Sequence, residues 1–199
     1  MKDRIIADTH FLHDREVKAW ARKKWYEYKI IKHRKNLIKN IDTVYVVWDI
    51  ACGKDLEVHQ KFIMQLPGFK ILIKGNHDNK TDSWYIDHGR DMVVESLIIK
   101  RFWKEILLKH IPDDFSTSRV KSAHNRAVIH WHYHAHANHT ELAKVNHVIY
   151  SCEHEDMQPR TIAYMLNLLA SHKKPPLVLD IMQTTPEAYV YLSDNQNKK

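Results

Sequence analysis

Five short apolar runs punctuate this chain, and each stops at residues suited to binding divalent cations. Residues 4–7 run into Asp8, Thr9 and His10. Residues 43–47 run into Trp48 and Asp49, and residues 70–73 into Lys74, Gly75, Asn76, His77 and Asp78. Residues 106–108 end at Lys109 and His110, and residues 127–129 open into His130, Trp131, His132, Tyr133 and His134. The runs have the apolar, largely β-branched composition of buried strands. Helical spacing over 16–40 and 56–66 separates the first three. Strands and helices in alternation imply crossover connections and a mainly parallel sheet, and ligands of such sheets gather beyond the strand carboxyl ends. One Asp or His at a strand end is ordinarily a turn former, a helix cap or a satisfied polar residue. Five in order are a constellation, because parallel strands bring their ends together. Residues as far apart as Asp8 and His134 can then meet in one site, with mixed N and O ligands suited to manganese, iron, zinc or nickel.

The remainder of the chain adds strands over 98–102, 148–151, 177–182 and 188–192, a helix near 162–170, and a polar tail over 194–199. At 199 residues, 44% hydrophobic and 28% charged, the chain has the make-up of one ordinary globular domain over 1–193. It has no apolar run of about 18 residues to span a membrane, and its first residues are too weakly apolar for a signal peptide. With only Cys52 and Cys152, no disulfide framework is expected and a cytoplasmic location is. The net charge of +7 favours an anionic partner. Much of that charge lies in 18–39, with Lys18, Arg22, Lys23, Lys24, Lys29, Lys32, Arg34, Lys35 and Lys39. A solvated helix face is the ordinary explanation of such a run.

The motifs Asp8-Thr9-His10, Trp48-Asp49, Gly75-Asn76-His77-Asp78, His110 and His132-Tyr133-His134 resemble, in order, those of the calcineurin-like metallophosphoesterases: DxH, GD, GNH[DE], H and GHxH. Residues 148–161, with Cys152 and Pro159, are also similar to the tail of small bacterial and phage-type members. The resemblance implies an α/β fold in which mixed sheets form a β-sandwich flanked by helices, with a metal site at the strand carboxyl ends. It implies two divalent metal ions, one on Asp8, His10 and His134, the other on Asn76, His110 and His132, with Asp49 bridging. A bridging hydroxide would attack phosphorus in line, and His77 would protonate the leaving oxygen. The expected activity is that of a phosphodiesterase or phosphatase on a phosphoester, with nucleotides and nucleic acids among the candidate substrates.

The chain departs from the family beside its ligands. Trp48 and Trp131 stand where glycine is usual, Leu12 interrupts a common Phe-Gly-His, and Lys109 replaces a small residue before His110. Tryptophan in place of a close-approach glycine strains the backbone or displaces a neighbour. The two indoles would line the site as a stacking wall for a nucleobase, or obstruct it and leave a catalytically impaired relative. Lys74 and Lys109 would steer an anionic substrate. Two other classes stay open. The cluster of His124, His130, His132, His134, His136 and His139 suits a metal-binding module without catalysis. Trp20, Trp25, Tyr26 and Tyr28 among basic residues suit a nucleic-acid-binding protein, although near-helical spacing predicts them in the core.

Overall fold

The computed structural model describes residues 1–13, 22–47, 49–51, 53–111, 125–130, 147–150, 152–153 and 155–170. The strands among them are β1 (Asp3–Ala7), β2 (Thr43–Val47), β3 (Phe69–Ile73), β4 (Met92–Val94), β5 (Ser96–Arg101), β6 (Lys104–Lys109), β7 (Arg126–His130), β8 (His147–Ile149) and β9 (Arg160–Thr161). The helices are α1 (Tyr26–Leu37), α2 (Asp55–Val58), which passes into a π-helical turn over His59–Ile63, α3 (Asp82–Asp87) and α4 (Ile162–Ala170).

Strands covered on both faces read as continuous apolar runs. Ile5 to Ala7, Val44 to Val47 and Ile71 to Ile73 are buried without alternation, and these strands form the centre of a five-stranded sheet ordered β4-β3-β2-β1-β9. β1 to β4 are parallel, and β9 returns antiparallel to β1. The second sheet is ordered β5-β6-β7-β8. Its β6, β7 and β8 are parallel, while β5 and β6 form an antiparallel hairpin across Phe102 and Trp103. The molecule is therefore α/β with two mixed sheets rather than one mainly parallel sheet. A two-residue turn permits only an antiparallel return, which accounts for the hairpin. One apolar cluster draws Ile6, Val46 and Leu72 from the first sheet and Ile106, Leu108 and Ile129 from the second. α4 packs on β1, β8 and β9.

Several elements differ from expectation. In the segment over 16–40, whose spacing suits one long or two broken helices, the described helix covers Tyr26–Leu37 with Trp25 at its amino-terminal cap at φ 71, and residues 16–21 lie outside the described residues. The helix expected over 56–66 opens into a π-turn halfway, while α3, β4 and β9 were not foreseen. Residues 177–182, 188–192 and 194–199 lie outside the described residues, as do Lys18 and Trp20. Among the described residues no helix is long and apolar enough to cross a membrane.

Candidate metal centre

β1, β2 and β3 end level with one another, Ala7 beside Val47 and Val47 beside Ile73. The residues that follow consequently emerge side by side. Pairing continues past the strands, with the Asp8 amide donating to Val47 O at 3.2 Å, His10 to Asp49 O at 2.9 Å and Phe11 to Ile50 O at 2.7 Å. Here the backbone turns sharply: Asp8, His10 and Asp49 have φ of 45, 43 and 33. Left-handed backbone at a residue other than glycine costs about 1–3 kcal/mol and persists only where the surroundings enforce it. Three of the expected ligands carry that strain.

Asp8, His10 and Asp49 are 1%, 2% and 3% exposed, and they offer donor atoms that lie within 4.8 Å of one another. Asp49 is central. Its Oδ2 lies 3.9 Å from His10 Nε2 and 3.8 Å from His110 Nε2, and His110 Nε2 is 2.5 Å from Asn76 Oδ1. Its Oδ1 accepts the His77 amide at 3.0 Å and sits over Gly75, where a Cβ would come within 2.3 Å of it. That contact explains the glycine before Asn76. Two buried carboxylates beside imidazoles are costly without a counter-charge, and this mixed oxygen and nitrogen set fits a divalent transition metal.

The loops around the centre are braced by residues to which the sequence assigned no role. Asp78, 3% exposed, accepts the amides of Ile50 at 3.2 Å and Gly75 at 2.9 Å and so ties the second ligand loop to the third. Burial pushes its carboxyl up to about 7, against the pull of the Gly75 amide. Arg22 donates to the carbonyls of Asp8 at 2.7 Å and Thr9 at 2.8 Å, and through Nε to Glu153 at 2.6 Å. The Tyr26 hydroxyl donates to His10 O, Glu27 accepts the Leu12 amide at 3.2 Å, and the Cys152 thiol donates to Ala7 O at 2.7 Å. Burial holds that thiol well above its usual range, so it is inert. Asp78 lies inside a recognisable motif, but nothing local marks Arg22, whose partner Glu153 is 131 residues away.

Of the residues expected at the site, Asp8, His10, Asp49, Asn76, His77 and His110 come together. The exposed His77 presents its ring 5.9 Å from that of His10. Lys74 Nζ is engaged by Asp82 at 3.2 Å, Glu95 at 3.7 Å and the Lys80 carbonyl at 3.2 Å. Those contacts anchor it to α3 and its flank. Lys109 closes β6 beside Ser96 and His130. Trp48, Trp131, His132 and His134 lie outside the described residues, as do His124, His136 and His139. A cavity of about 290 Å³ lies further along these loops, with Lys54, Asp55, Glu57, Lys80 and Trp84 in its wall, two lysines against two carboxylates.

No protein-family profile matches the chain, and no curated protein matches it. Its fold is similar to the crystal structure of AQ665 from Aquifex aeolicus, described as a protein of unknown function. The two share 25% sequence identity with a TM-score of 0.66, over 84% of this chain and 98% of that one.

Proposed function

We propose that this chain is a metal-dependent phosphoester hydrolase, a phosphodiesterase or phosphatase with the calcineurin-like metallophosphoesterase fold and two divalent cations. The observation that carries it is the placement of Asp49, whose Oδ2 is 3.9 Å from His10 Nε2 and 3.8 Å from His110 Nε2, the latter beside Asn76. Asp8 and His10 would hold one cation and Asn76 and His110 the second, with Asp49 shared, and with His134 and His132 completing the sets as the motifs suggest. Bound cations supply counter-charge to phosphoryl oxygens and lower the pKa of water toward neutrality.

The chain's own residues supply orientation and a proton. The His77 amide and the absent side chain at Gly75 fix the Asp49 carboxylate. The exposed His77 imidazole, close to that of His10, suits delivery of a proton to the leaving oxygen. Hydrolysis of chromogenic phosphodiesters and monoesters, measured on chelator-stripped protein with manganese, iron, zinc or nickel returned, tests this. Turnover should require a cation and should fall about a hundredfold or more in Asp49→Ala and His77→Ala; wild-type turnover in either variant would sink the proposal.

A further inference from the structure

Beside the ligand loops, the first turn of α1 presents a face that the metal centre does not use. Tyr26 is buried, as its spacing predicts, and reaches His10 O. Its neighbours are not: Trp25 is 65% exposed and Tyr28 50%. Their ring centroids stand 6.0 Å apart with planes inclined at 54°. Lys23, Lys24 and Lys32 are exposed around them, with Lys24 Nζ 5.9 Å from the Trp25 ring. The pair is anchored inward, since Tyr28 meets Phe62 edge-on at 6.1 Å, and Phe62 stacks on Phe11 at 5.3 Å. Phe11 directly follows His10, and Lys61 Nζ lies 5.3 Å from the Phe62 ring. Phe62 and Phe11 are buried, so this packing fixes the exposed pair on the core directly beneath the proposed ligand loop, with lysines at the surface. Trp25 is also held at positive φ, which a bulky residue adopts only under constraint.

Flat rings among cations match a ligand with flat faces and a regular negative charge. Single-stranded nucleic acid has both, because its bases are free to stack and its phosphates are spaced along the strand. A duplex hides its base faces, and an acidic protein or a lipid surface would use the lysines without needing stacked rings. We propose that this face binds single-stranded nucleic acid, with bases on Trp25 and Tyr28 and phosphates near Lys24, Lys32 and Lys61, and leads a phosphodiester toward the metal centre. This names the substrate class of the hydrolase proposed above and rests on that proposal. In the reaction water adds to phosphorus, the P–O bond to one sugar oxygen breaks, and that oxygen takes a proton, giving a phosphomonoester and a sugar hydroxyl.

The test is binding of fluorescently labelled oligo-dT to the full chain in chelator, followed by anisotropy, so that capture is read apart from turnover. Trp25→Ala and Tyr28→Ala should each weaken binding about tenfold. Lys24→Glu with Lys32→Glu should weaken it further and flatten its salt dependence. Trp103→Ala, at a tip that is 98% exposed, should leave binding unchanged. Wild-type affinity in Trp25→Ala overturns the proposal, as does equal binding of duplex DNA, polyglutamate or anionic phosphatidylserine vesicles, or no binding of oligo-dT. If oligo-dT binding fails while chromogenic esters are still hydrolysed with metal, only this inference falls. If binding holds and no metal-dependent hydrolysis occurs, the hydrolase proposal falls, the strand is no substrate, and only the nucleic-acid-binding face stands.

Discussion

Asp8, His10 and Asp49 adopt a backbone conformation that residues with side chains avoid, and the structure holds them there with a short list of partners. Arg22 is chief among these. Its guanidinium grips two successive carbonyls of the first ligand loop while Glu153 fixes it from behind. The Arg22 side chain is fully buried in its ion pair with Glu153, so removing one partner leaves the other charge unsatisfied as well as freeing the loop. Partners that orient ligands typically govern metal affinity by about 10–100-fold. Arg22→Met should therefore weaken manganese binding, measured by titration calorimetry, by about that factor. Arg160→Met, which removes a partly exposed pair with Glu155 at 2.6 Å away from the ligand loop, should leave affinity within about twofold. Equal losses in both variants would mean that general stability, not loop geometry, sets the affinity.

Among the elements, the passage of α2 into a π-turn buries His59 completely. Its Nδ1 is 2.8 Å from His88 O, and its ring meets Trp84 edge-on at 5.0 Å. Burial first, then the charge of Arg90, lowers its pKa to about 3. Burial likewise brings His130 to about 3. Between pH 3 and the ordinary histidine value near 6.5, the unfolded chain binds protons that the folded chain excludes. The stability from these groups is thus complete above about 6.5 and is lost as pH falls, by up to about 1.4 kcal/mol per unit for each. Urea midpoints should drop between pH 7 and 4.5, and less steeply in His59→Asn, which can still donate to His88 O but does not titrate. An unchanged slope would assign the protons to other groups. The same elements mark what the sequence makes legible. β1, β2 and β3 are buried on both faces, so their apolar runs and polar endings stand out, and five of the six site residues that come together, Asp8, His10, Asp49, Asn76 and His77, follow from them. β9 has two residues and β4 three, too few to show a period. The pairing of β9 with β1 joins residues more than 150 positions apart, and the Arg22–Glu153 pair joins others almost as distant. Trp25 and Tyr28 fit a buried helical stripe by spacing, but Trp25 sits at the helix cap at positive φ and Tyr28 is half exposed, while Tyr26 between them is buried.

For the whole molecule, two mixed sheets share one core, and residues just beyond β1, β3 and β6 meet about Asp49. α1 places a basic, aromatic face next to the first of those ends. If that face binds an anionic strand as proposed, part of the net charge of +7 has a local use in the lysines exposed around Trp25 and Tyr28. On the proposed function, capture, orientation and hydrolysis would be successive uses of one edge of the fold, and hydrolysis would depend on cations held about Asp49. Metal content of the purified chain after saturation with manganese and exhaustive dialysis, counted by inductively coupled plasma mass spectrometry, addresses that dependence directly. The account predicts two ions per chain, and one or none in Asp49→Ala; an empty wild-type chain, or a count that Asp49→Ala leaves unchanged, would contradict it.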